Sequence, residues 1–233
     1  MERFGGPAQG VGSKSSATDL VSDADRDSEA LIRDILASER PEDGQLAEEG
    51  TSEIGESGRR WVVDPLDGTV SYLYGYPHWC VSVALEDTQG TAVGVVYDPN
   101  RDELFAAERS AGATLAGEAL AIREMPPLAE ALVATGFGYD PVWRAEQSEV
   151  VRRLLPAVRD IRRAGSAALD LAWLAAGRLD AYYERGLNAW DWAAGSLLVR
   201  EAGGAVEELS GEPFGLIAGP AALIAALRPL VEA

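Results

Sequence analysis

Trp61-Val62-Val63-Asp64-Pro65-Leu66-Asp67-Gly68-Thr69 is an apolar, β-branched run that stops at two acids separated by Pro-Leu and then turns at Gly-Thr. The pattern predicts a buried strand that presents carboxylates at its tip. Carboxylates three residues apart at the end of such a strand repel each other unless a cation or protons offset the charge. Taken alone, the residues leave two readings open: a metal corner, or a turn at Asp67-Gly68 with Asp64 capping the next segment. In the first, Mg²⁺ takes oxygen ligands, the Leu66 carbonyl among them, keeps some of its waters and binds substrate phosphate. Gly68 and Thr69 then offer backbone N–H groups to an anion.

Upstream, residues 1–16 are rich in glycine and small residues and read as a mobile arm that carries Lys14, the only lysine. Beyond residue 19, Leu31, Ile32, Ile35 and Leu36 recur at helical spacing, with Asp23, Asp25, Asp27 and Glu29 at the front, where acids suit a helix dipole. Residues 42–60 read as a polar connection, in which Glu48-Glu49 by itself suggests a solvated loop. Downstream, residues 79–86, 91–97, 104–107 and 113–115 predict a meandering, largely antiparallel sheet with a hairpin at 88–90.

Met125-Pro126-Pro127 marks an expected boundary between an N-terminal α+β half, 1–125, and a C-terminal α/β half, 126–233. The second half predicts strands at 131–135, 179–184, 206–209 and 216–218. Its helices are predicted at 143–156, 169–176, 190–202 and from 220 onward, in a βαβ-like order. Asp191 opens the third of these helices, and its plain reading is an N-cap or first-turn acid, the cap being favoured.

A net charge of −18 and a pI near 4.4 argue against nucleic acid or an anionic membrane as a partner. The single cysteine, Cys80, makes no internal disulfide, and no leader or membrane-spanning pattern is evident, so the expected location is the cytoplasm. One histidine, His78, cannot sustain a zinc cluster, and the sequence holds no G-x-S-x-G elbow, Walker-type phosphate loop or dinucleotide fingerprint.

Asp64-Pro65-Leu66-Asp67-Gly68-Thr69 matches D-P-[IL]-D-G-T, and Trp190-Asp191-Trp192-Ala193-Ala194-Gly195 runs on to Glu201-Ala202-Gly203-Gly204. These are the two signatures of the inositol monophosphatase family, which the chain resembles. Lys14-Ser15-Ser16, Thr18-Asp19-Leu20-Val21, Asp25 to Glu29, Ala47-Glu48-Glu49, Gly165-Ser166-Ala167 and Asp180 to Glu184 follow the family in order. The resemblance therefore covers nearly the whole chain.

It implies a layered αβαβα sandwich of the inositol monophosphatase and fructose bisphosphatase type, and a lithium-sensitive, Mg²⁺-dependent phosphatase with two or three ions per site. By motif position, Glu48, Asp64 and the Leu66 carbonyl would hold one ion, Asp64, Asp67 and Asp191 a second, and Glu48 would share a third. Glu48 and Thr69 would activate water, with Asp25 orienting Thr69 from behind. Gly68 and Thr69 would take phosphate oxygens, while Asp67, Gly165, Ser166, Ala167, Glu184 and Asp191 would meet substrate hydroxyls. Lys14 falls on the mobile loop that closes over the metals.

The implied substrate is a small phosphorylated metabolite, foremost myo-inositol 1-phosphate, and the implied assembly is a homodimer. Arg185 beside Glu184 would admit a more anionic or amino-acid-derived substrate, which makes histidinol phosphate the alternative. Fructose 1,6-bisphosphate, 3′-phosphoadenosine 5′-phosphate and a regulatory, non-catalytic binding role stand behind it. Two departures qualify the match. Ser71 replaces the family asparagine, implying weaker buttressing of the site. Relatives also carry most of a helix ahead of residues 3–6, so the chain is expected either to lack it or to begin further upstream.

Overall fold

The computed structural model describes residues 4–5, 9–14 and 20–232. Ser15, Ser16, Thr18 and Asp19, which contribute to the resemblance, lie outside them. In chain order the first half comprises β1 (Gly12–Ser13), β2 (Leu20–Val21), α1 (Asp23–Glu39), β3 (Gly44–Ala47), β4 (Ser52–Glu53), β5 (Arg60–Asp67), α2 (Thr69–Leu73), β6 (Cys80–Asp87), β7 (Gly90–Asp98), β8 (Glu103–Glu108), β9 (Gly112–Leu115) and β10 (Glu118–Ala119). Then follow β11 (Leu132–Thr135), α3 (Pro141–Leu154), β12 (Asp160–Arg162), α4 (Ala167–Ala175), β13 (Ala181–Arg185), α5 (Ala189–Glu201), β14 (Ala205–Glu208), β15 (Gly215–Gly219) and α6 (Ala221–Val231).

An eight-stranded sheet runs β10-β9-β8-β7-β6-β5-β3-β4, and a five-stranded sheet runs β12-β11-β13-β15-β14. The layers follow from side-chain alternation. On β5, Val63 faces α1 together with Leu36 and Ala47, while Val62 faces the core shared with α4 and α5. On β13 and β15, Tyr182, Leu216 and Ala218 join that shared core, whereas Ala181, Tyr183 and Ile217 pack against Leu223, Ile224 and Leu227 of α6. The order is thus α1, sheet, α4 and α5, sheet, α3 and α6: the αβαβα sandwich. β5 is covered by α1 on one face and by the shared core with α4 and α5 on the other, which is why it is apolar at consecutive positions.

Helices α4 and α5 can lie close because Gly195 meets Leu171; a Cβ there would sit 2.6 Å from the Leu171 Cβ. Among the described residues no helix is long and apolar enough to cross a membrane.

Several expectations change. The polar connection over 42–60 contains β3, which pairs in parallel with β5, among the described residues the one parallel pair in a sheet that is otherwise antiparallel as expected. Only Leu46 and Ala47 of β3 are aliphatic, and a strand this short carries little periodic signal. The second half departs from simple βαβ order because β15 lies antiparallel between β13 and β14. The β14–β15 pair folds back into the gap that the α5 crossover leaves. In the expected mobile arm, β1 pairs with β2, which gives Gly12–Ser13 a fixed partner.

Candidate active site

The tip of β5 carries the predicted corner. Register against β6 shifts between Asp64 and Asp67, where Pro65 cannot donate to the ladder, so the strand bends at its acids. Gly68 then turns the chain into α2 with φ of +98°, a left-handed conformation that glycine adopts without strain. A Cβ on Gly68 would also come within 3.0 Å of the His78 carbonyl oxygen.

Each acid at the corner commits one oxygen to the scaffold. Asp64 Oδ1 accepts from the Leu66 amide (3.0 Å). Asp67 Oδ2 accepts from Ser166 Oγ and the Ala168 amide, both at 2.7 Å, which ties β5 to the start of α4. Asp191 Oδ2 accepts from the Asn188 amide (2.6 Å). Asp191 is therefore the third residue of α5, with Asn188 at the cap: of the two plain roles expected for it, N-cap or first-turn acid, it takes the second. The other oxygen of each acid has no hydrogen bond among the described residues.

Glu48, Asp64, Leu66, Asp67, Gly68, Thr69, Gly165, Ala167, Glu184 and Asp191 all line one cavity of about 530 Å³, as does Lys14. Ser166 does not. It is buried, caps α4 by accepting from the Leu169 amide (3.3 Å), and donates to Asp67, so its hydroxyl serves the scaffold rather than the cavity. Asp25 lies behind the wall, fully buried, with Oδ1 accepting from Thr69 Oγ1 at 2.8 Å. Its Oδ2 accepts from the Ser22 amide and hydroxyl, so the helix-start role and the Thr69 contact coexist on one carboxylate.

Burial, followed by the negative charges of Glu48, Asp67 and Asp191, raises Asp64 well above the usual carboxylate range. Burial pushes Asp67 up to about 7 against the opposing bonds from Ser166 and Ala168, and it raises Asp191, which also faces Asp67. Glu184, half-buried at the cavity wall and accepting from the Tyr182 hydroxyl (2.9 Å), is pushed up to about 8, again chiefly by burial.

Lys14 Nζ lies 2.7 Å from Glu48 Oε1 and 2.5 Å from Glu49 Oε1. Burial alone would lower the Lys14 pKa, but the two glutamates outweigh it and the ammonium is held charged.

This donor set is all oxygen and anionic, which fits a hard cation such as Mg²⁺. Among the described residues no three acidic, histidine or cysteine side chains close around a common point. Buried like charges keep their distance, and the fit rests on donor chemistry and a shared cavity rather than on a finished coordination sphere. A phosphate ester entering among Glu48, Asp64, Asp67 and Asp191 would be repelled without such a cation.

Several residues enter the site that sequence reasoning missed. Phe137, Tyr139, Trp143, Arg163 and Asn188 line the cavity, with the Arg163 guanidinium 5.8 Å from the Phe137 ring centre. Most sit on loops without periodicity; only the proximity of Arg163 to Gly165 gave a signal. Ser71, at the family asparagine position, donates to the Ala164 carbonyl (3.3 Å) and so reaches the segment that leads into α4. His78 and Asp170 form a buried pair (3.1 Å) that fastens the β5–β6 connection to α4.

The inositol monophosphatase family pattern matches residues 1–231. A Rhizobium meliloti inositol-1-monophosphatase is 44% identical over 224 residues, spanning 92% of this chain and 83% of that one. A Nus factor SuhB from Xylella fastidiosa is 46% identical over 197 residues, 84% of this chain and 71% of its own. The crystal structure of the extragenic suppressor protein SuhB from Bartonella henselae superposes with a TM-score of 0.90 at 41% identity, covering 95% of this chain and 88% of that one. With the two acidic signatures meeting in one cavity of the matching fold, the chain belongs to the inositol monophosphatase family, a family of phosphoric monoester hydrolases.

Proposed function

We propose that this chain is a Mg²⁺-dependent phosphomonoesterase whose preferred substrate is myo-inositol 1-phosphate. The observation that carries this reading is the gathering of Glu48, Asp64, Asp67 and Asp191, from both parts of the chain, around one cavity beside the Gly68 and Thr69 amides. The name of the Rhizobium relative supports the substrate.

Glu48, Asp64 and the Leu66 carbonyl would hold one Mg²⁺, Asp64, Asp67 and Asp191 a second, and Glu48 would share a third. When bound, Mg²⁺ supplies Lewis-acid polarisation of the phosphate and a lowered pKa for bound water. The remaining work belongs to the chain. Thr69 donates its hydroxyl proton to Asp25, which leaves its oxygen lone pairs facing the cavity as acceptors. Glu48 is the second acceptor for the water proton. The Gly68 and Thr69 amides hold phosphate oxygens, and Asp67, Gly165, Ala167, Glu184 and Asp191 receive the hydroxyls of the polyol. Within this reading, residues 1–125 and 126–233 are the two units whose edges meet at the site. Homodimerisation and lithium inhibition rest on the resemblance, and a cytoplasmic location rests on the single cysteine.

The test is phosphate release with Mg²⁺ from inositol 1-phosphate, histidinol phosphate, fructose 1,6-bisphosphate and 3′-phosphoadenosine 5′-phosphate. The expected result is the highest kcat/KM for inositol 1-phosphate; a higher value for histidinol phosphate would transfer the assignment to that ester. The Nus factor name of the Xylella relative keeps a regulatory reading in view. No turnover of any ester, with a macromolecular partner retained, would replace the enzymatic reading.

Glu184 carries a pH prediction for the metal-free protein. Its folded pKa is raised from 4.5 to about 8, so its contribution to stability is complete below 4.5 and is lost as pH rises through about 8. Glu184→Gln escapes that loss. The melting temperature of the variant relative to wild type is expected to climb across this window and level off above it. Parallel melting curves would show that Glu184 keeps an ordinary carboxylate pKa.

A further inference from the structure

We infer that Glu29 is a positioning residue for Glu48, acting through the backbone of the turn at residues 47–51; the inference rests on the metal-dependent phosphatase reading above. Glu29 and Asp25 lie one helical turn apart on α1, and both are buried. Asp25 holds Thr69, and Glu29 holds the neighbouring segment. Its Oε2 accepts from the Glu49 amide (2.6 Å), while its Oε1 accepts from the Thr51 amide (3.0 Å) and the Thr51 hydroxyl (2.6 Å).

The turn itself is closed by the Ala47 amide donating to the Thr51 carbonyl (2.8 Å), with Gly50 at φ of +125°. On the other side of Glu48, its own amide donates to the Val63 carbonyl (3.3 Å), immediately before Asp64 on β5. The peptide planes before and after the Glu48 Cα are thus tied to different anchors, one to the metal-corner strand and one to Glu29. Fixing both planes fixes φ and ψ of Glu48, and with them the direction of the Cα–Cβ bond along which its side chain leaves for the cavity and the rotamers open to it. Charge-assisted bonds from a buried carboxylate are stronger than neutral ones, so Glu29 is the stiffer part of that clamp. The plain alternative is that Glu29 only stabilises a turn, which would alter melting temperature without altering what Glu48 can bind.

The experiment is calorimetric titration of Mg²⁺ into the metal-free full chain as wild type, Glu29→Ala, Glu29→Gln and Asp64→Asn, with steady-state kinetics on inositol 1-phosphate alongside. Glu29→Ala is expected to weaken Mg²⁺ binding by about 10–100-fold, the range seen when the partner of a metal-ligating group is removed. Glu29→Gln keeps one accepting oxygen and turns an N–H₂ toward either Glu49 or Thr51, and should weaken it severalfold. In both variants substrate KM at saturating Mg²⁺ should stay within about twofold, because Glu48 faces the water rather than the polyol. A folded Glu29→Ala protein that binds Mg²⁺ as wild type does, whatever its melting temperature, overturns the inference. If that variant does not fold, unchanged affinity in Glu29→Gln does the same. Asp64→Asn separates the two levels: wild type without Mg²⁺ binding, or Asp64→Asn with wild-type binding, removes the metal reading and this inference together. Binding lost in Asp64→Asn but retained in both Glu29 variants removes this inference alone.

Discussion

Asp64→Asn is expected to lower Mg²⁺-dependent phosphate release by about 10³-fold or more, since several kcal/mol of transition-state stabilisation go with the ion and each 1.36 kcal/mol is tenfold in rate. The same change should make the metal-free protein more stable, not less. Asp64 is 1% exposed and already raised well above the ordinary carboxylate range by burial and by Glu48, Asp67 and Asp191. An asparagine keeps the oxygen that accepts from the Leu66 amide and removes one of the crowded negative charges. Relief of about 1 kcal/mol would appear as a rise of ~2–4 °C in Tm for a chain of this size. Phosphate release across a Mg²⁺ titration and thermal melting in chelator measure the two effects separately. Wild-type turnover in the variant would remove Asp64 from the ligand set. A lower Tm in chelator would make its carboxylate a structural acceptor, with the charge playing no part in the site.

That opposition between activity and apo stability reflects how the site is divided between local and long-range information. The acids at 64 and 67 were readable because β5 is buried on both faces, so a polar residue at its end stands out against Val62 and Val63. The sandwich itself was legible only through the family resemblance, because the residues alone indicate an antiparallel meander followed by a βαβ-like run and not how the layers stack. Glu48 was not readable from its own surroundings: Gly44–Ala47 is four residues long, its parallel partner lies beyond residue 59, and nothing local distinguishes Glu48 from a solvated acid. Only the family motif joined it to the site. Asp25 shows a different limit. Its helix-start reading was sound, yet one carboxylate has two oxygens, and the second reaches Thr69 across 44 positions. Of the aromatic wall, Phe137 and Tyr139 were hidden because loop residues obey no period, and Trp143 because the helical spacing of α3 does not show that its first turn borders the cavity. Ser166 was drawn to the cavity by its motif, although a serine that caps a helix has already turned its oxygen inward.

Thr69→Val is expected to reduce kcat by about 10²–10⁴-fold, the usual contribution of a positioned proton acceptor, with KM for inositol 1-phosphate changed by less than about threefold. Valine fills nearly the same volume, so α2 and its packing should persist; only the hydroxyl is lost. In the wild type that hydroxyl donates to Asp25 Oδ1 (2.8 Å) rather than to bulk water, and it lies 3.3 Å from the Leu66 carbonyl. Its proton is committed to one side and its lone pairs to the other, which is what makes a neutral alcohol useful beside a water that must lose a proton. Asp25 retains the Ser22 amide and hydroxyl after the substitution, so the stability lost with one hydrogen bond should be about 1–2 kcal/mol. Thr69→Ser restores the hydroxyl without the methyl and should recover most of kcat. If Thr69→Val turned over as wild type does while melting lower, Thr69 would be an anchor between α2 and α1. Glu48 would then be the sole proton acceptor in the cavity, and the Asp25–Thr69 bond would belong to the scaffold.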